Sequence, residues 1–210
     1  MPASEPLDAE GFALATNVSR ETLERFECYA DLLVKWNARF NLVGRSTLGD
    51  LWHRHMLDSA QLFEHLPPSV HRLVDFGSGA GFPGLVLAIM GVPDVHLIEA
   101  NARKSAFLLE AARVTGTSVT VHNARVENGT PLTADVVTAR AVASLPILLD
   151  YAIPYLKPNS ICLFLKGSEV KEELTELRSL WNIRDHTHQS ITNPESVIVR
   201  LEVHSHDSTD

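Results

Sequence analysis

The chain lacks any apolar run approaching the roughly 18 residues that mark a membrane-spanning helix, so no membrane partner is expected. Its opening stretch, MPASEPLDAEG, is acidic and has no apolar core of the kind a secretory signal carries. A cytoplasmic location is expected. Cysteine is scarce. With only Cys28 and Cys162 there is no disulfide framework, and both sit inside apolar patterns, where reduced buried thiols are expected. Positive charge is also short: the formal net charge is -8, which argues against a protein that grips bare nucleic acid over its whole surface. The deficit is uneven. Lys35, Arg39, Arg45 and Arg54, with His53 and His55, are opposed between residues 35 and 56 only by Asp50. A locally basic face on an acidic protein is therefore available, although solvated helix residues give the same pattern.

The length of 210 residues suits one α/β domain with a helical extension, and a monomer is expected. Residues 1–18 read as a loose arm. From Ser19, a suitable helix cap, an apolar period runs through Leu23, Phe26, Ala30, Leu33 and Phe40. A turn near Gly44 precedes a second predicted helix over residues 47–64. Leu66-Pro67-Pro68-Ser69 ends it, because proline removes a donor and restricts the residue before it. This boundary divides the chain into an arm and helical extension over residues 1–66 and one compact core over residues 67–210. Within the core, short apolar runs at 72–76, 95–99, 119–122, 136–139 and 161–165 alternate with helical patterns at 81–90, 102–115, 144–156 and 168–180. The alternation predicts a mainly parallel sheet covered on both faces. Two further strands, at 183–188 and 196–203, have no helix between them and predict an antiparallel hairpin at one edge.

The sharpest feature is Asp75-Phe76-Gly77-Ser78-Gly79-Ala80-Gly81-Phe82-Pro83-Gly84. A strand enters a glycine-rich turn and a helix follows, so a ligand can approach the main chain closely. The spacing of Gly79, Gly81 and Gly84 also satisfies a dinucleotide fingerprint, and the glycines alone do not decide between ligands. Asp75, expected at the mouth of the site, tilts the balance. A carboxylate repels a pyrophosphate and attracts the ammonium of S-adenosylmethionine. Glu99, at the end of the next strand, suits ribose hydroxyls with either ligand.

Four blocks in order resemble one known family. Asn41-Leu42-Val43 with Arg54-His55-Met56-Leu57-Asp58-Ser59, the loop from Asp75 to Gly84, Arg140-Ala141-Val142-Ala143-Ser144, and Leu165-Lys166-Gly167 are similar to the bacterial small-subunit (16S) ribosomal RNA guanine-N7 methyltransferases, also called glucose-inhibited division protein B. The resemblance implies a Rossmann-like class I methyltransferase fold with a seven-stranded, mainly parallel sheet. It implies S-adenosylmethionine as cofactor and 16S ribosomal RNA or the small ribosomal subunit as partner. It also implies cofactor contacts at Asp75, Gly77, Gly79, Gly81, Phe82, Glu99, Val126, Glu127 and Arg140. Arg140, Lys166, His55 and Asp58 are the candidates for substrate handling. His55 and Asp58 stand three apart on a predicted helix, and Lys166 ends a strand at the carboxyl edge of the sheet, where phosphate contact is expected. The family's Arg-His pair before its last strand is replaced here by Asn193-Pro194-Glu195-Ser196.

Guanine N7 carries a free lone pair at neutral pH, so such chemistry demands no general base; the sequence offers no obvious nucleophile–base pair. A methyltransferase for a small molecule or protein, an NAD(P)-dependent oxidoreductase and a non-enzymatic RNA-binding module remain as alternatives at this point. The His-x-His pairs at 53/55, 186/188 and 204/206 bring no evident third ligand, and no metal is expected.

Overall fold

The computed structural model describes residues 7–130 and 132–206, with side chains through His204. The first six residues of the expected arm and the side chain of His206 lie outside the described residues.

Alternation along the strands builds the molecule. Strands β1 (Arg72–Phe76), β2 (Asp94–Ile98), β3 (Val119–His122), β4 (Ala134–Arg140) and β5 (Leu156–Lys166) pair in parallel. The full order is β3-β2-β1-β4-β5-β7-β6. The edge hairpin of β6 (Trp181–Gln189) and β7 (Val197–His206) is antiparallel as expected, and it folds back so that β7, not β6, pairs with β5. Successive side chains on a strand point to opposite faces. Leu73, Leu97, Val136 and Leu163 therefore meet one set of helices, α4 (Gly84–Ile89), α5 (Ala102–Thr115) and α2 (Arg20–Phe40). Val74, Phe76, Val137 and Phe164 meet α6 (Leu145–Ala152) and α7 (Val170–Leu180) on the other face. The expected fold, a seven-stranded mainly parallel sheet with helices on both faces, is the one observed.

The N-terminal third departs from expectation in three places. The supposed loose arm contains a helix, α1 (Ala9–Thr16), capped by the Asp8 carboxylate, which accepts from the Gly11 amide at 2.7 Å. Phe12 on α1 is fully buried, edge-on to Phe26 at 4.8 Å and tilted against Trp52 at 5.4 Å. One aromatic anchor offsets the ordering cost of two turns, a cue that a short window of mixed polarity hides. The second correction concerns residues 47–64, which do not form one regular helix. The chain winds through a 3-10 stretch (Arg45–Asp50), a π-helical turn (Trp52–Leu57), a single α turn, α3 (Asp58–Ala60), and a second 3-10 stretch (Gln61–His65). Apolar spacing reports a helical path but not which carbonyl each amide reaches. Third, Cys162 is buried on β5 as expected, but Cys28 is exposed, because it lies on the outer side of α2.

Phe12, Phe26 and Leu33 share one apolar cluster with Leu73 and Phe107, so the N-terminal helices and the sheet bury a continuous surface. Phe12→Ala is expected to cost about 3–5 kcal/mol, the range for emptying a buried aromatic site. Urea denaturation checks this, and a loss below 1 kcal/mol would show that α1 is not fastened.

Candidate active site at the carboxyl ends of β1, β4 and β5

The glycine turn follows β1 directly. Gly77 has φ +60, and a Cβ there would stand 2.7 Å from a methyl of Val142, so only glycine lets this turn lie against the 140–143 segment. Gly84 opens α4, and a Cβ there would meet Asp75 Cβ at 2.6 Å; its bareness allows the helix to sit on the strand. The Gly79 amide donates to Glu99 at 2.8 Å, and Gly81 lies under the Tyr29 hydroxyl, which donates to the Ala80 carbonyl.

Asp75 is not at the mouth of the site. It is fully buried beneath the turn, where Thr138 on the neighbouring strand donates to its Oδ1 at 2.7 Å. The register sets this pairing, since Asp75 and Thr138 are opposed in the β1–β4 ladder. Oδ2 has no hydrogen-bond partner among the described residues. Burial pushes the carboxyl up to about 6, against the opposing pull of the Ser78 and Thr138 hydroxyls, the Gly84 amide and the Arg140 charge. At neutral pH it is an anion in an apolar setting, which a nearby ligand cation would stabilise.

A cleft of about 260 Å³ opens beside the turn, and Gly77, Glu99, Val126, Glu127, Val142 and Tyr151 are among its walls. Four expected cofactor residues thus meet in one place. Glu99 accepts from the amides of Gly79 and Asn101 at 2.8 and 2.7 Å, which fixes its carboxylate at the cleft wall. Glu127 accepts from the Tyr151 hydroxyl at 2.9 Å across the opening. The orphaned Asp75 oxygen, beneath a turn whose Gly77 borders the cleft, suits an adenosyl cofactor with a cationic amino-acid end. A pyrophosphate would find an unneutralised carboxylate instead.

On the other side of the 140–143 segment lies a second set of groups. Arg140 donates to Asp58 Oδ2 at 3.1 Å, to the Arg54 carbonyl at 3.2 Å and to His55 Nδ1 at 2.9 Å. Its guanidinium lies 4.9 Å over the Phe82 ring, on which His55 also stacks at 5.0 Å. Arginine only donates, so His55 Nδ1 accepts and its proton sits on Nε2. Nε2 then donates to Thr47 Oγ1 at 2.8 Å, and Thr47 donates to the Gly44 carbonyl at 2.7 Å. Burial first, and then the charges of Arg140 and Arg54, bring the His55 pKa down to about 4, so the ring is neutral at physiological pH.

A family model described as GidB, rRNA small subunit methyltransferase G, matches residues 22–200. The chain belongs to this family. It is 59% identical over 186 residues to the Ribosomal RNA small subunit methyltransferase G of Paramagnetospirillum magneticum, covering 89% of this chain and 91% of that one. The protein of the same name from Rhodospirillum rubrum is 52% identical, with 93% and 98% covered. Solved structures show the fold alone. A ribosomal protein L11 methylase from Lactobacillus delbrueckii superposes with a TM-score of 0.57 at 13% identity, covering 70% and 76% of the two chains. A SAM-dependent O-methyltransferase from Thermotoga maritima gives 0.55 at 18%, covering 70% and 65%. The expectation of an S-adenosylmethionine-dependent methyltransferase is met by this membership, and the NAD(P) alternative falls away.

Lys166 has partners that its sequence position did not reveal. Strand alternation turns its side chain to the face opposite Arg140, under α6 and α7. There it pairs with Glu173 at 2.8 Å and donates to the Ala143 carbonyl at 2.8 Å, with both side chains largely buried. Glu173 also accepts from the Leu145 amide at 2.7 Å, capping α6. The ammonium expected to meet phosphate is held by Glu173 and the Ala143 carbonyl, while Lys166 still borders the cavity that Arg140 and Asp58 line. Sequence reading passed over Glu173, which looks like one more acid on a solvated helix. It also missed Thr138, whose only signal is a hydroxyl interrupting an apolar strand, and Tyr151, whose place on the cleft depends on tertiary packing. The loop between β6 and β7 went unplaced as well: Thr192 donates to Asp58 Oδ1 at 2.6 Å, and Gln61 donates to Ser190 at 3.1 Å.

Two outcomes are expected. Lys166→Met leaves Glu173 buried without its partner and should cost about 3–5 kcal/mol in urea denaturation; a neutral result would make the pair dispensable. For His55, the folded pKa lies below its ordinary 6.5, so the unfolded chain binds the proton first as pH falls. The stabilisation that His55 gives should therefore shrink from pH 6.5 towards 4, by about 1.4 kcal/mol per pH unit. Asp75, raised from 3.8 to about 6, works oppositely, favouring the folded state at the acid end of that window. Comparing wild type with His55→Gln at each pH isolates the histidine. A difference that does not vary with pH would contradict its burial as a neutral ring.

Proposed function

We propose that the protein methylates N7 of a guanine in 16S ribosomal RNA, acting on the RNA or the small ribosomal subunit as a cytoplasmic monomer. Family membership supports the RNA. The observation behind the N7 assignment is that the two candidate bases beside Arg140, His55 and Asp58, are both tied into hydrogen bonds. His55 is neutral with both ring nitrogens engaged, and Asp58 is held by Arg140, Thr192 and Gln61. Methylation of an exocyclic amine or a protonated ring nitrogen calls for proton removal, whereas N7 needs only alignment.

S-adenosylmethionine supplies, when bound, a methyl group made electrophilic by its sulfonium. The walls of the 260 Å³ cleft suit its adenosine, with Glu99 facing the ribose and Val126-Glu127 the adenine. Gly77 permits close approach of the main chain, and Asp75 favours the ammonium end through the field it exerts from beneath the turn. A purine gains positive charge as it is methylated. Asp58 offsets the Arg140 charge beside it, so the base is not driven towards an unbalanced cation. Lys35, Arg39, Arg45 and Arg54 are all exposed and offer phosphate contacts despite the acidic total. Among the described residues no helix is long and apolar enough to cross a membrane.

The expected result is transfer of labelled methyl from the cofactor to small subunits prepared from cells lacking this protein, recovered after digestion as 7-methylguanosine. Label at a ribose or another base atom would refute the N7 assignment.

A further inference from the structure

We infer that the cavity between the ends of β4 and β5 seats the target guanine, and that Ser196 and Asp58 read the base edge opposite N7. The inference rests on the N7 reading above and adds the residues that select the base.

The 140–143 segment is a ridge with a cavity on each side. Val142 and Ala143 face the cofactor cleft, while Arg140 and Ala141 border a second cavity of about 200 Å³ whose walls include Asp58, Lys166, Gly167 and Ser196. A base in that second cavity must bring N7 to the crest of the ridge, since in-line transfer needs contact with a methyl group held in the cleft on the other side. In guanine the edge opposite N7 carries N1–H and the N2 amino group, which are both donors. The far wall must then accept hydrogen bonds.

It does. An ionised carboxylate has about four acceptor positions. Asp58 Oδ1 takes Thr192 at 2.6 Å and Gln61 at 3.0 Å, and Oδ2 takes Arg140 at 3.1 Å, which leaves one position on Oδ2. Ser196 supplies the second acceptor. Its backbone is engaged at 3.0 Å with Asn193 and with Ser190, but its hydroxyl has no partner among the described residues. Ser196 and Asp58 also border a neighbouring cavity of about 390 Å³, where exposed Arg54 and Asn193 stand. The flanking strand therefore has a polar way in. Adenine would set a ring-nitrogen lone pair against the free Asp58 oxygen, an acceptor facing an acceptor, whereas the Ser196 hydroxyl can turn to donate; rejection of adenine therefore falls to Asp58. Ala141 holds φ +54, an uncommon conformation for a residue with a side chain, on the ridge where a base would press. Its small side chain keeps the approach open.

Ser196→Ala removes one acceptor and no observed intramolecular bond. With small subunits as substrate, KM is expected to rise about three- to tenfold, the range for one hydrogen bond. Within this reading kcat stays within twofold, and S-adenosylhomocysteine affinity and thermal stability are unchanged. The dependence of KM on salt should also be unchanged, because no phosphate contact is lost. Ser196→Thr, which keeps the hydroxyl, should recover most of the loss. An unchanged KM for Ser196→Ala overturns the inference, as does a rise accompanied by a shallower salt dependence, which would mark a phosphate contact. Wild-type enzyme that makes no 7-methylguanosine overturns the N7 reading and this inference together. Wild-type enzyme that makes it, with Ser196→Ala indistinguishable, overturns this inference alone.

Discussion

The bond from Arg140 to Asp58 joins the end of a central strand to the N-terminal helical segment. Both side chains are mostly buried, at 18% and 16% exposure, so neither charge is well solvated and each depends on the other. The arginine ends a central strand of the sheet, and the aspartate begins the short α turn of the N-terminal segment. Phe82 from the glycine turn lies under the guanidinium, and His55 fills a further donor direction. One planar cation therefore sets the relative placement of strand, glycine turn and helical segment. The neutral state of His55 belongs to the same arrangement, because a protonated ring would turn a donor towards a donor.

Strand alternation explains which residues take part. Asp75, Thr138 and Arg140 share one face of the sheet, the face that carries the N-terminal helices, while Lys166 falls on the other. A single rule of geometry thus separates the group beneath the cofactor turn from the Lys166–Glu173 pair. Residues that look alike on paper, two cations at adjacent strand ends, acquire unrelated duties.

The features that could be read from the sequence were those governed by local periodicity and by glycine. The Asp75–Gly84 turn, the alternation of strands and helices, and the Ser19 cap all concern neighbours in sequence, and all are observed. The clustering of Gly77, Glu99, Val126 and Glu127 was implied by the family resemblance, and loops at the carboxyl edge of the parallel sheet bring it about. What could not be read depends on partners far away. Whether Asp75 lies open or buried depends on α4 closing over it through Gly84. Whether Lys166 is free depends on Glu173, seven positions on but brought back by a helix. The π-helical turn that carries His53, Arg54 and His55 leaves the apolar spacing of a helix intact, so periodicity alone hides it.

The hairpin fold-back that pairs β7 with β5 has a consequence for synthesis. Asp58 and Gln61 emerge early, yet Thr192 and Ser190, which hold them, lie 134 and 129 positions later. A nascent chain can assemble the sheet's parallel core and the glycine turn well before this latch arrives. The face that carries Arg140 and Asp58 is then finished only after the β6–β7 hairpin has been made, so shorter products of translation would fold in part without that latch.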